Sequence, residues 1–291
     1  MSECTDSWDN RALRLRYHSK VSLQFRARPA LVAYLTCGDP DLRTTHEVAL
    51  AAVSAGAEVI ELGVPFSDPV ADGPVIQRAS ERALRKGVSL EKVLNLAAEI
   101  RRESDAGLII FSYLNPIMRL GLEKFAKASA EAGVDGALVT DLPVEEADEY
   151  LRHMRKYQLS TIFLAAPTST DTRLKQIAQA STGFVYAVSR TGVTGAQKNL
   201  PEDAQRLVQR LRRITHLPIA VGFGISGPQQ FASVGKYADA AVIGSAIVQT
   251  IEQNPRKEAQ AVAEFIEQLS TFSRQPSQKA AAKAPRLAGS H

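Results

Sequence analysis

Short apolar runs alternate with longer amphipathic stretches from residue 30 to about residue 270. Eight of these runs are almost continuously apolar, which is typical of parallel strands that are covered on both faces. They are residues 30–36, 57–62, 107–113, 135–140, 160–165, 183–188, 217–222 and 238–244. The stretches between them have the apolar spacing of amphipathic helices, and one additional helix is predicted near residues 75–86.

Eight strand–helix units favour an α/β fold, a single (β/α)8 TIM barrel with extra helices at the N-terminus and in a βα loop. An open doubly wound sheet shows the same alternation, which alone does not exclude it, but the first strand is not followed by the G-x-G-x-x-G motif. We predict a barrel over residues 29–272, preceded by a segment, residues 1–28, that forms part of a plug at its lower face. The basic tail, residues 273–291, has the composition of a disordered segment.

The net charge of +4 belongs to the two ends of the chain. Residues 1–28 carry +3 and residues 273–291 carry +4, which leaves about −3 on the body of the chain. A nucleic-acid-binding surface needs clustered positive charge, so this distribution argues against a nucleic acid partner.

The sequence lacks the apolar segments that are typical of membrane-spanning and secreted proteins. No apolar stretch approaches the ~20 residues that cross a bilayer, and the polar N-terminus has no signal-like apolar core. With Cys4 and Cys37 giving no disulfide framework, a cytoplasmic location is expected. The five histidines are scattered and none ends a predicted strand, so neither a metal nor an organic cofactor is expected.

Acidic residues gather where the second strand ends, in the segment IELGVPFSDPVADGP, residues 60–74. In a barrel the active site lies at the carboxyl ends of the strands. Glu61 shares strand parity with Val59, and a carboxylate facing the helices would be isolated among apolar groups, so Glu61 is predicted to face the barrel mouth. Low polarity there would raise its pKa and suit it to acid–base catalysis. The alternative is a glutamate bonded to the backbone amides of its own loop.

Two aspartates follow in the same loop. Asp72 is the second catalytic candidate, placed to accept a hydrogen bond from a substrate N–H or O–H. Asp68 precedes a proline and is predicted to shape the turn or to contact a partner.

Three glycine-bearing segments predict a phosphate site on the other side of the mouth: residues 190–196, 222–226 and 243–248. Glycine lets backbone N–H groups approach an anion, and Gly244–Ser245 also begins a predicted helix. Loops after strands seven and eight are the usual phosphate grip of such barrels. The first segment, being long and hinged by glycines, could also close as a lid.

These segments together resemble the family of tryptophan synthase α subunits. The resemblance rests on YLTCGDPD, IELGVPFSDPVADGPVIQRAS, DLPVEE, SRTGVTGA, GFGIS and GSAIV, which occur in order between residues 29 and 270. It implies retro-aldol cleavage of indole-3-glycerol phosphate to indole and glyceraldehyde 3-phosphate without a cofactor. It also implies a β subunit partner, in an αββα heterotetramer, that joins the indole to serine.

The resemblance assigns a role to each matching residue. Glu61 would protonate the indole ring carbon that bears the side chain, and Asp72 would hold the indole N–H. The other substrate-binding positions that it implies are Tyr34, Tyr113, Tyr186, Thr194, Gly195, Phe223, Gly224, Gly244 and Ser245. The loop positions that it implies in contact with the β subunit are Pro65, Asp68, Asp141 and Pro143.

Three other functions remain open. A sugar-phosphate isomerase or aldolase could use the same phosphate grip, although an aldolase would need a Schiff-base lysine and no predicted strand ends in lysine. A non-catalytic activator of a β partner would not need both Glu61 and Asp72. A free-standing lyase that releases indole is the third.

Overall fold

Eight parallel strands close into a barrel in the order of the chain. In the computed structural model, which describes residue 25 and residues 29–188, 200–222 and 224–274, each strand pairs with the next, and the last pairs with the first through Ala30–Ala33 and Ala240–Ile243. The strands are β1 (Ala30–Thr36), β2 (Val59–Gly63), β3 (Gly107–Ser112), β4 (Gly136–Val139), β5 (Ser160–Ala165), β6 (Val185–Val188), β7 (Ile219–Gly222) and β8 (Ala240–Ile243). The predicted TIM barrel is confirmed, and the open sheet is excluded.

Helices connect the strands and cover the outside of the barrel. They are α1 (Leu42–Ser54), α2 (Pro74–Arg85), α3 (Leu90–Glu103), α4 (Leu114–Leu120), α5 (Leu122–Glu131), α6 (Asp148–Lys156), α7 (Asp171–Ala180), α8 (Leu200–Arg212), α9 (Pro228–Val234), α10 (Ser245–Gln253) and α11 (Glu258–Arg274), with a 3-10 turn over Val144–Glu146. The additional helix predicted near residues 75–86 is α2. Helix α4 was not predicted; its Pro116 lies in the first turn, where a helix tolerates proline.

The two faces of each strand enter separate apolar layers. Residues of one parity fill the barrel interior: Ala30, Val32, Tyr34, Val59, Ile109, Phe111, Leu138, Ile162, Phe184, Tyr186, Ala220, Ala240 and Val242. Residues of the other parity, such as Ile60 and Leu62, pack against the helices. This separation makes strand parity a direct guide to which side chains can reach the mouth.

The ends of the chain are described only in part. Phe25 packs against the barrel interior, with its ring 5.5 Å from that of Phe184 at an interplanar angle of 52°. The plug formed by residues 1–28 and the disorder of the tail stay predictions, since the rest of both segments lies outside the described residues. Helix α11 runs to Arg274, two residues into the predicted tail. Among the described helices, none is both long and apolar enough to span a membrane.

Candidate active site

Glu61 points into the barrel. It lies on β2 between Tyr34 of β1 and Ile109 of β3, at the same level of the sheet, and none of its surface is exposed. Val59, two residues earlier, belongs to the same interior layer. The predicted parity therefore matches the structure, and the only charged side chain of this strand faces the inside of the barrel.

The Glu61 carboxyl group has no hydrogen-bond partner within the described part of the chain for either of its oxygens. Burial raises its pKa from the ordinary 4.5 to about 8, because ionisation in apolar surroundings is unfavourable. The alternative, a glutamate satisfied by amides of its own loop, is not what the described residues show. At neutral pH the group is predominantly protonated and can donate a proton.

The raised pKa of Glu61 predicts that the stability of the wild type, relative to that of a Glu61→Gln variant, depends on pH. The folded protein binds the Glu61 proton more tightly than the unfolded chain does, so stability falls as pH rises from about 4.5 through about 8. Glu61→Gln removes this loss. Between pH 5 and pH 9 the variant should therefore gain about 2–4 kcal/mol of unfolding free energy relative to the wild type.

Urea unfolding of both proteins at pH 5, 7 and 9 measures this difference. Asp72 also has a raised pKa, but it is present in both proteins and cancels in the comparison. A constant difference across the three pH values would mean that Glu61 is ionised at an ordinary pKa.

Asp72 is held at the mouth by the loop after β2. Only 6% of its surface is exposed, and the Tyr113 hydroxyl donates to its Oδ2 at 3.1 Å. The same hydroxyl accepts from the Ala71 amide at 2.9 Å, and Gln77 Nε2 donates to the Asp72 carbonyl at 2.9 Å. Burial raises the pKa of Asp72 to about 6, while the bond from Tyr113 opposes the rise. Asp72 is thus mostly ionised at pH 7.

The two carboxyl groups share surroundings but differ in protonation. The interior tyrosines, Tyr34 and Tyr186, have pKa values raised well above normal by burial, and the negative charges of Glu61 and Asp72 raise both further. Each of the two tyrosines therefore lies within electrostatic reach of both carboxyl groups. Such a pair, with one carboxyl neutral and the other ionised near pH 7, is the arrangement that acid–base catalysis requires.

Two glycines make room for the tyrosines. A Cβ atom at Gly63 would overlap the end of the Tyr34 ring, and one at Gly222 would overlap the end of the Tyr186 ring. Each glycine lies on the strand next to that of its tyrosine, at an inward position. The rings consequently lie across the strand ends, and Tyr34 also meets Phe111 edge to face at 5.1 Å between ring centroids.

The ends of β7 and β8, which lie beyond β1 from Glu61, carry the predicted anion site. Gly244 is the N-cap of α10, whose first internal bond runs from the Val248 amide to the Gly244 carbonyl at 3.0 Å. The amides of Ser245, Ala246 and Ile247 precede that bond and have no acceptor within the helix. Gly224, after β7, has φ +84°, a conformation that glycine adopts without strain. These groups can bind a phosphate.

The remaining predicted residues are distributed as follows. Thr194, Gly195 and Phe223 lie outside the described residues, so their roles stay predictions. Among the residues predicted at a partner interface, Asp68 is exposed and accepts from the Ser67 hydroxyl at 2.8 Å. Asp141 accepts from the Leu114 amide at 2.7 Å and so stabilises the start of α4.

Sequence reasoning missed residues that organise the site. Phe66 stacks on the Tyr113 ring at 5.0 Å between centroids and supports the tyrosine that bonds Asp72. Arg82 of α2 binds Asp39 and Glu252 from two other elements. Gly63 and Gly222 could have been found from parity, since a glycine at an inward position faces the same interior as Glu61. In the described chain, no three His, Cys, Asp or Glu side chains gather where they could hold a metal ion.

Comparison with known proteins agrees with this geometry. The family model described as tryptophan synthase alpha chain matches residues 21–277. A tryptophan synthase alpha chain of Solibacter usitatus is 51% identical over 85% of this chain and 91% of its own length. That of Neisseria meningitidis serogroup B is 46% identical over 82% of this chain and 92% of its own.

Solved structures show the same likeness. The tryptophan synthase A-subunit of Pyrococcus furiosus superposes with a TM-score of 0.78 at 40% identity, covering 84% of this chain and 98% of the other. A chain from the tryptophan synthase of M. tuberculosis gives 0.80 at 33% identity, covering 88% and 100%. With a family match over most of its length and relatives above 45% identity, the chain belongs to the tryptophan synthase alpha chain family.

Proposed function

We propose that Glu61 and Asp72 carry out the reaction of this family, the retro-aldol cleavage of indole-3-glycerol phosphate to indole and glyceraldehyde 3-phosphate. The observation that carries the proposal is the pair of carboxyl groups at the mouth, with pKa values of about 8 and about 6. The higher pKa makes Glu61 the proton donor, and the lower pKa leaves Asp72 as the anion near neutral pH.

The reaction begins with a proton transfer to carbon. Glu61 donates its proton to C3 of the indole, the ring carbon that bears the glycerol phosphate side chain, and the ring becomes an iminium cation. The bond from C3 to the side chain then breaks, and its electron pair returns to the ring as neutral indole. The hydroxyl on the departing carbon loses its proton to the Glu61 carboxylate and becomes the aldehyde, so that the catalyst is regenerated.

Asp72 stabilises the cation formed in the first step. Its carboxylate accepts a hydrogen bond from the indole N–H, where positive charge develops. The charge is formed in a site of low polarity, where an ionised partner is worth more than in water. The bond from Tyr113 supports this role, because it favours the ionised form of Asp72 at neutral pH.

The phosphate of the substrate is assigned to Gly244, Ser245 and Gly224. Ser245→Asp should weaken the binding of glycerol 3-phosphate by about tenfold or more, because it adds a negative charge where the helix amides meet the anion. Ser245→Ala keeps the amides and serves as the control, with a smaller loss. Calorimetric titration of both variants measures the effect, and equal affinities would mean that the phosphate binds elsewhere.

We also propose that the chain works with a β subunit as an αββα complex in the cytoplasm. A relative in Pyrococcus furiosus has been solved as a tryptophan synthase complex. Two large apolar side chains are well exposed in segments that follow strand ends: Val70 at 78% and Met118 at 54%. The two cysteines of the sequence give no disulfide framework, which agrees with a reducing compartment.

An indole-release assay tests the function. The purified chain is given indole-3-glycerol phosphate with and without a β subunit from a related complex, and indole is quantified. Release by the chain, increased by the β subunit, is the expected result. No release under either condition would refute the proposed reaction.

A further inference from the structure

Three elements that flank the proposed site are joined by one group of charged side chains. Arg82 of α2 binds Asp39, in the loop after β1, through Nε to Oδ1 and Nη2 to Oδ2, both at 2.7 Å. The remaining arm of the guanidinium, Nη1, binds Oε1 of Glu252 on α10 at 2.7 Å. We call Asp39, Arg82 and Glu252 the Arg82 clamp. Arg78, one turn earlier on α2, also binds Glu252, with Nε to Oε1 at 3.2 Å and Nη2 to Oε2 at 2.9 Å.

The clamp is partly shielded from water. Asp39 is 4% exposed, and the side chains of Arg82 and Glu252 are 33% and 28% exposed. A planar guanidinium that meets one carboxylate with two parallel bonds fixes direction as well as distance. An ion pair of this kind holds its elements in register, whereas an exposed pair between flexible side chains does not.

The two helices in the clamp begin at the two ends of the proposed substrate site. Helix α2 starts at Pro74, just after Asp72 and the N-cap Gly73. Helix α10 starts at Ser245, after the N-cap Gly244. Arg82 and Glu252 are eight and seven residues further along, so the clamp joins the helices about 10–12 Å below those starts. A link at this depth bears on the angle between the helices, and so on the separation of their starts.

The inner faces of the same helices pack over the site. Ile76 and Ala79 of α2 and Val248 of α10 belong to the apolar layer that contains Tyr34. Apolar contacts of this kind are favourable but non-directional. The directional bonds of Arg82 add an orientation that apolar packing alone does not specify.

We propose that the Arg82 clamp sets the separation between Asp72 and the amides at Ser245, and so positions the two ends of the substrate relative to each other. Arg82 and Glu252 are positioning residues, since they act through α2 and α10. The inference rests on the proposed function and adds to it a determinant of substrate length.

Three ligands separate positioning from general stability. Glycerol 3-phosphate probes the phosphate end, indole probes the ring end, and 3-(indol-3-yl)propyl phosphate spans both without being cleavable. Linking two fragments strengthens binding only when the sites have the matching separation. In Glu252→Ala the joined ligand should therefore bind about tenfold more weakly, while each fragment keeps its affinity within about twofold.

The control is Glu81→Ala. Glu81 also pairs with an arginine, Arg85, but both residues lie on α2, so the pair connects no other element. All three affinities should be unchanged in this variant. Arg82→Lys is the second test, since it keeps the positive charge beside buried Asp39 but loses the fork geometry. It should weaken the joined ligand selectively but less than Glu252→Ala does, because Arg78 still binds Glu252.

The outcomes separate a failure of the proposed role of the Arg82 clamp from a failure of the proposed function. A selective loss of the joined ligand in Glu252→Ala and Arg82→Lys supports the clamp. Equal losses of all three ligands, or no loss of any, overturn it. If the wild-type protein binds the joined ligand no more tightly than either fragment, the proposed site itself is wrong.

Discussion

Replacing Glu61 by glutamine is expected to abolish indole release, with a loss of about 10²–10⁴-fold in kcat, while the fold and phosphate binding are retained. Glutamine has nearly the same size and remains neutral, as the protonated carboxyl group is at pH 7, so the interior packing around Tyr34 and Tyr186 is kept. What it cannot do is give a proton to the indole ring. Steady-state release of indole, with the melting temperature of each protein, measures the loss.

Glu58→Gln is the matched control. Glu58 precedes β2 by one position and has the opposite parity to Val59 and Glu61, so it lies on the helix side of the sheet. The same chemical change there should leave the rate of indole release unchanged. Turnover of Glu61→Gln at the wild-type rate would remove the basis for the proposed mechanism.

Asp72→Asn should lower kcat by about 10²-fold, the next largest effect. Asparagine can still accept the indole N–H, but it has no charge to stabilise the iminium cation. Because the change acts mainly on the charged transition state, kcat should fall more than KM rises. Stopped assays across a range of substrate concentrations give both constants.

Two controls accompany Asp72→Asn. One is the Tyr113→Phe variant, and the other is the affinity of Asp72→Asn for a phosphate ligand. Without the tyrosine hydroxyl, Asp72 loses the bond that favours its ionised form and the Ala71 amide loses its acceptor. The charge of Asp72 is kept, so a smaller loss of kcat is expected than in Asp72→Asn. Glycerol 3-phosphate should bind Asp72→Asn as it binds the wild type. A fall in phosphate affinity as large as the fall in kcat would mean that Asp72 acts on the structure of the mouth, not on the indole.

The position of Glu61 could be predicted from the sequence because a strand alternates its faces. Buried parallel strands are recognisable as apolar runs, and a single charge within one is unfavourable on the helix side. The strand limits differed by one or two residues, as at β2, which begins at Val59 and not at residue 57. The barrel and the inward position of Glu61 can thus be predicted from patterns that are local in the sequence.

Contacts between distant segments could not be predicted in this way. Arg82 and Glu252 are 170 residues apart in the chain, and each is one of many charged residues on a helix surface. Gly63 and Tyr34 meet only because β1 and β2 are neighbours in a given register. Helix α4 has only 7 residues, too few for the apolar spacing of a helix to be recognised in a sequence.

The most direct test of the central claim is the structure of Glu61→Gln with intact indole-3-glycerol phosphate bound. We predict that C3 of the indole lies about 3–3.5 Å from the side-chain amide of residue 61, with the ring N–H on Asp72 and the phosphate at the amides of Gly244 and Ser245. A ring bound with C3 turned away from residue 61, or a phosphate bound on the Asp72 side of the mouth, would contradict the assignment of Glu61 as the proton donor.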